Sequence, residues 1–336
     1  MREHLLPHTG RFYKANLHAH TTVSDGKMTP AEVKAAYKAR GYAVVAFTDH
    51  DVMVDQTALS DGEFLALNGW ELAINEAKPW GHAAKTYHFS LIAEVPEADR
   101  QVFFLPRGDF RGNAGQYADR VRTTGETVYA YNYSPIFANR LIRAAHAAGF
   151  LVFYNHPNYS LQTGDDFLPL EGLDGMEIHN GASYSWGFGD DGNTTRFDRM
   201  LRRGHTSILP IAADDNHARN TEDPANELFT GFMMIKAETL SYTAITAALK
   251  AGNAYASQGP EIHELWVENG VAHIKTSEAT EILLRTGDRG AERRFGKLTE
   301  AEFKIRPDMG YFRFEVVDAH GKRAATRAYE AARFGR

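Results

Sequence analysis

The chain has 336 residues, 43% of them hydrophobic and 24% charged, the composition of a folded globular protein with one large domain or a large and a small one. Its formal net charge is −6, so no basic excess marks it as a duplex-DNA reader. It has no cysteine, which excludes disulfides, thiolate metal sites and cysteine nucleophiles and leaves His, Asp and Glu to hold any metal. The opening MREHLLPHTG lacks the apolar centre of a signal peptide, and no apolar run approaches the roughly 18 residues of a membrane span. The expectation is a cytoplasmic protein that does not act on membranes.

Seven short apolar runs punctuate the first two-thirds: ANLHAH (15–20), YAVVAFTDH (42–50), FLALNGWEL (64–72), HFSLIAEV (88–95), FLVFYNHP (150–157), GMEIHN (175–180) and SILPIAADDNH (207–217). Such runs, separated by helical patterns, predict buried parallel strands of an α/β fold. The first helix has clear punctuation. Thr29 suits the N-cap, Pro30 the first turn, Glu32 completes a T-x-x-E capping box and Gly41 suits the stop. Further helices are predicted over 137–148, 194–203 and 241–251, each followed by glycine. Residues 95–135 mix Pro, Gly, Arg and aromatics and read as an inserted loop region with some helix. After AYASQGPEI the pattern becomes strands joined by polar turns. The expected division is a barrel over 1–256 and a small β-sandwich-like domain over 257–336.

Fifteen histidines produce roughly 0.7 His-x-His pairs by chance in a chain of this length, so His18 and His20 alone say little. Recurrence at one structural place says more. His18 and His20 end the first run, Asp49 and His50 the second, Glu71 the third, His156 the fifth, and Asp215 and His217 the seventh. In α/β barrels the C-terminal strand ends form the active-site face. Imidazoles and carboxylates collecting there suit a mixed N/O site for Zn, Mn or Fe. His88 fits less simply, because it begins its run, and periodicity does not choose it over His82. Asp25, in S-D-G, could be a ligand or could merely organise a turn.

NLHAHTTVSDG, FTDHD, GWEL, HFSLI, YNHP and DDNH, in this order over 15–217, resemble the successive motifs of the PHP (polymerase and histidinol phosphatase) metal-dependent phosphoesterases. GFMMIKA and ITAALKAGNAYASQGPEI resemble a subgroup with a β domain after the barrel. The resemblance implies a distorted (β/α)7 TIM-like barrel with two or three divalent metal ions in its mouth. It implies that His18, His20, Glu71 and Asp215 hold one metal. Glu71 would bridge to a second held by His88 and His156, and Asp25, His50 and His217 would hold a third. Some family members carry His at the position of Asp25. The implied reaction is hydrolysis of a phosphomonoester or phosphodiester by metal-activated hydroxide. The substrate would be a nucleotide, an oligonucleotide end or a small metabolite phosphate.

Other residues carry weaker expectations. Asp214 and Asp49 are expected to orient ligands. His179 could act as a general acid or substrate contact, or be a loop histidine. Asn155, Asn158 and Asn180 are rim candidates. Tyr131, Tyr133, Tyr154 and Tyr159 could stack on a nucleobase, with packing as the plainer use. Two rival functions stay open: a metal hydrolase of an amide or lactone, and a non-catalytic module with structural metals.

Overall fold

The computed structural model describes residues 2–77, 85–105, 110–125, 130–189, 191–219, 222 and 226–334. It is a mixed α/β fold with one large sheet and few helices. The seven apolar runs all contain strands: β1 (Arg11–Asn16), β2 (Val44–Phe47), β3 (Leu65–Asn75), β4 (Thr86–Ala93), β5 (Phe150–Tyr154), β6 (Gly175–Asn180) and β7 (Leu209–Ala213). They pair in that order. β1, β2 and β3 are parallel neighbours, as are β5, β6 and β7. β4 departs from the parallel expectation and runs antiparallel to both β3 and β5. Beyond the two ends of this path the chain meets itself. His20 N–H donates to the Asn216 carbonyl (2.9 Å), and Asp215 N–H donates to the His18 carbonyl (3.0 Å).

The described helices include α1 (Pro30–Lys38), α2 (Pro135–Ala147), α3 (Gly181–Ser185), α4 (Asp191–Arg202) and α5 (Tyr242–Lys250). Thr29 and Glu32 form the reciprocal capping box that their spacing predicts. Gly41, Gly149, Gly204 and Gly252 all have positive φ just past helix ends, the conformation that glycine adopts most readily. α2 turns Leu141, Ile142 and Ala145 inward, where they join the strands in one continuous core. Among the described residues no helix is long and apolar enough to cross a membrane.

The strand Phe232–Ala237 lies antiparallel to β1, and Ala254–Ser257 continues the sheet into an antiparallel C-terminal part. That part contains Ile262–Glu268, Val271–Thr286, Ala291–Lys304 and Tyr311–Val317. It packs a separate apolar core around Leu265, Ile282, Phe303, Phe312 and Phe314, which also takes in Leu5 and Leu6. The N-terminal strand Arg2–His4 pairs there with Ile262–Glu268.

Candidate metal centre

The structure brings all nine expected ligand positions together. His18, His20 and Asp25 follow β1, and His50 follows β2. Glu71 lies within β3 and His88 within β4. His156 follows β5, and Asp215 and His217 follow β7. The direction of β4 explains His88: in an antiparallel strand the first residues lie beside the last residues of its neighbours. His88 pairs with Ala73, two residues beyond Glu71. His82 lies outside the described residues. Eight of the nine side chains are buried, and Asp25 is half-buried.

Four overlapping groups have ligand atoms within 4.8 Å of one another: His20, Asp25, His50 and His217; His18, His20 and Asp215; His18, His156 and Glu177; and Glu71, His88 and His156. His18 Nε2 lies 3.1 Å from His20 Nε2. Asp215 Oδ1 is 3.0 Å from His20 Nε2 and 3.3 Å from His18 Nε2. Glu71 spans the cluster, as a carboxylate with two oxygens can. Its Oε1 is 2.9 Å from His88 Nδ1 and 3.3 Å from His156 Nε2, and its Oε2 is 3.0 Å from His50 Nδ1. Asp25 Oδ1 is 3.3 Å from His217 Nε2.

Neighbours fix which ring nitrogens carry protons. His217 Nδ1 faces the Asp215 backbone carbonyl at 2.8 Å, so it donates there and leaves Nε2 a lone pair. His18 Nδ1 faces Glu177 Oε1 at 2.8 Å in the same way. Glu177 also accepts from the backbone N–H of His156 and the side-chain amide of Asn180, both at 2.8 Å. Asn155 donates to Glu71 Oε1 (2.7 Å) and Ser90 Oγ (2.9 Å). Asp49 accepts from Thr21 and Ser24 backbone and hydroxyl groups and so shapes the turn that carries His20 and Asp25. Asp214 accepts from Tyr37 and from the N–H groups of Phe229, Thr230 and Gly231, which anchors the residue preceding Asp215. His156 and Asp215 themselves have φ of 25° and 52°, strained values that persist where surrounding contacts enforce them.

The electrostatics conflict in a way that protons alone do not relieve. Burial pushes His18 down, yet Asp215, Glu71 and Glu177 together hold it well above the usual histidine range. His156 and His217 are also raised, against burial, by Glu71 and Asp215 and by Asp25 and Asp215 respectively. His20 goes the other way. Burial and the neighbouring His50 and His217 lower it to about 3. Its ring centroid lies 4.3 Å from each of those two rings, so adjacent imidazolium charges would repel. Buried Asp25 Oδ1 and Asp215 Oδ1 have no hydrogen-bond partner, although imidazole nitrogens stand nearby. Lone pairs and anionic oxygens aimed at shared points, with their backs hydrogen-bonded, are the donor set of divalent cations. The residues fit such ions.

His179 is held elsewhere. Its Nε2 meets Thr230 Oγ1 at 3.0 Å and its Nδ1 meets the Gln258 side-chain amide at 2.8 Å. Tyr133 and Tyr154 pack on the core around Tyr87, and the Tyr131 hydroxyl donates to the Phe103 carbonyl. Asn158 is pinned to the Phe188 carbonyl, and Asn180 caps α3. Tyr159, by contrast, touches the cluster, its ring 5.3 Å from that of His156. Two residues are absent from the sequence expectations. Glu177 was detectable as a carboxylate inside an apolar run, which must find partners when buried. Arg219, 3.1 Å from Asp25 Oδ2, carried no such signal.

These features define a buried His/carboxylate cluster suited to divalent cations. No protein-family model matches the sequence, and no curated protein matches it. Solved structures similar to the chain include a two-domain protein containing a predicted PHP-like metal-dependent phosphoesterase from Bacteroides vulgatus ATCC 8482. It is 15% identical with a TM-score of 0.45, over 98% of this chain and 97% of that one. A provisionally named metal-dependent phosphoesterase from Bifidobacterium adolescentis ATCC 15703 is 17% identical with a TM-score of 0.39, over 65% and 91%. An amidohydrolase from Chromobacterium violaceum, with bound sulfate and no metal, is 19% identical with a TM-score of 0.38, over 63% and 93%. With every TM-score below 0.5 these likenesses decide nothing about the site, whose chemistry is read from its own geometry.

Proposed function

We propose that the chain is a metal-dependent phosphoesterase that hydrolyses a phosphomonoester or phosphodiester. One observation carries the reading: nine side chains from six strands converge with lone pairs and anionic oxygens facing inward, and two buried carboxylate oxygens lack partners. In this reading β1–β7 are the distorted barrel that the motifs imply, and the chain divides near residue 257. The enzyme is cytoplasmic, and its substrate is a nucleotide, an oligonucleotide end or a small metabolite phosphate.

His18, His20, Asp215 and Glu71 would hold one ion, Glu71, His88 and His156 a second, and Asp25, His50 and His217 a third. His20 stands within reach of two of these groups. Bound divalent ions, Zn, Mn or Fe, would supply hydroxide near neutral pH and offset charge on the ester oxygens. The chain's own residues do the rest. Glu177 holds the His18 ring in one orientation and fixes the backbone at His156. Asn155 holds Glu71 so that its two oxygens face different imidazoles. Arg219, at the half-exposed edge beside Asp25, meets the negative charge of an arriving ester.

The test is hydrolysis of p-nitrophenyl phosphate and bis-p-nitrophenyl phosphate by chelated protein, then re-supplied separately with Mn, Zn and Fe(II). Cleavage that returns with metal and is absent in folded His20→Ala supports the reading. Full activity in metal-loaded Asp215→Asn and His20→Ala would overturn it. Cleavage of amides or lactones but no phosphoester would replace it with the rival hydrolase.

A further inference from the structure

Among the described residues seven large hydrophobic side chains remain exposed, and three of them crowd into one stretch: Tyr184 (51%), Trp186 (39%) and Phe188 (37%). Scattered exposed apolar side chains need no explanation, but a contiguous group does. Tyr184 faces His179 and Lys322, but Trp186 and Phe188 stand beside the His/carboxylate cluster. Trp186 lies 6.2 Å, ring to ring, from His217. Tyr159 bridges inward, 5.2 Å from Trp186, 5.1 Å from Phe188 and 5.3 Å from His156. Among the described residues the Tyr159 hydroxyl has no hydrogen-bond partner. The Arg219 guanidinium lies 5.4 Å from the Trp186 ring while it pairs with Asp25.

The rings are held before any ligand arrives. Trp186 and Phe188 N–H groups donate to the Ala182 and Ser183 carbonyls. Asn158 donates to the Phe188 carbonyl at 2.6 Å and accepts from Arg196 at 3.1 Å, so the Tyr159 loop and the Trp186 segment are tied together. Tyr159 stands at 85° to Phe188 and 49° to Trp186, so the preorganised rings offer a planar partner one face to stack on and a second ring to abut, and the adjacent guanidinium is suited to an anion on the same molecule.

We propose that Trp186, Phe188 and Tyr159 form a stacking wall for a planar aromatic group carried by the substrate, with Arg219 meeting its negative charge. The inference rests on the phosphoesterase reading and narrows its substrates to phosphoesters that carry an aryl or heteroaryl group over those that carry none. Trp186 and Phe188 are then binding residues that set substrate preference.

Two matched pairs test it on metal-loaded protein: hydrolysis of benzyl phosphate against methyl phosphate, esters of alcohols with similar leaving ability, and calorimetric binding of phenylphosphonate against methylphosphonate. A nucleoside 5′-monophosphate as a further arm distinguishes a nucleobase from a simple aryl group. Wild type should prefer the aryl member of each pair. Trp186→Ala should weaken aryl binding roughly tenfold, within the range for aromatic stacking, and weaken the methyl probes less, so that the aryl preference falls. Trp186→Phe should restore most of the preference, and Phe188→Ala should repeat the loss more weakly. Metal-dependent hydrolysis without an aryl preference, or equal losses on both probes, would overturn the stacking wall and leave the phosphoesterase reading intact. Failure of wild type to hydrolyse or bind any of these compounds with any metal would overturn both.

Discussion

Arg313 is fully buried, and its guanidinium lies 2.6 Å from Asp198 and 2.8 Å from Glu315; Arg285 reaches the same Glu315 oxygen at 2.7 Å. The strand-tip cluster is as deeply buried, yet its groups face others that also offer electron pairs. In the first region a buried cation faces carboxylates, so the charges offset one another within the protein, although Arg313 Nη1, Arg285 Nε and Glu315 Oε1 lack well-directed hydrogen bonds. In the second, Glu177, Asn155 and backbone carbonyls satisfy the outward-facing atoms and the inward ones converge on each other. Structural burial of charge is thus told from burial that awaits a ligand by whether each buried group faces its opposite or another electron-pair donor.

The largest expected effect breaks the first region. Arg313→Ala leaves Asp198 without its cation and Glu315 with Arg285 and Arg323 alone, and should lower stability by about 3 kcal/mol, measured by urea unfolding at pH 7, with metal content per folded chain unchanged. The acid limb should change as well. Burial raises the Glu315 carboxyl, but Arg313 and Arg285 outweigh it and hold it below its ordinary value of 4.5. A carboxyl held low in the folded state stabilises above its unfolded value, and that stability is lost as pH falls through the folded one. Wild type should therefore lose stability below about pH 4.5 more steeply than Arg313→Ala.

The second region breaks differently. Asp215→Asn should lower metal-dependent hydrolysis by about 10²–10³-fold while far-UV circular dichroism stays native. Glu177→Gln weakens only the support behind His18 and His156. It should lower metal affinity by about 10–100-fold in a titration, with activity recovering at saturating metal. The smallest expected effect is Tyr37→Phe, which removes the hydroxyl 2.7 Å from Asp214. It should lower stability by about 1–2 kcal/mol and leave the metal content alone. An equal fall in metal binding and stability in all four variants would erase the distinction between the regions.

Much of this was legible in sequence because strands and caps are local. All seven apolar runs contain strands, and Thr29 and Glu32 cap α1 as written. The ligand types were visible because they recur at one end of those runs. Strand direction was not legible: the link between β3 and β4 does not declare whether the chain turns back, and so His88 stood unexplained. Glu177 carries a signal, a carboxylate inside an apolar run, but its partners His18 and His156 come from other strands and no local pattern names them. The closeness of Trp186 and Arg219 to the site depends on where β6 and β7 sit, which no local pattern encodes.

Inward-facing lone pairs mark a site for cations, and metal stoichiometry reads that out without any substrate. Chelated protein, reconstituted with Mn, Zn or Fe(II) and desalted, would be analysed by elemental mass spectrometry alongside His20→Ala. The wild-type chain should hold two or three ions and the folded variant at least one fewer. Less than one ion per folded wild-type chain with every metal would contradict a site for cations.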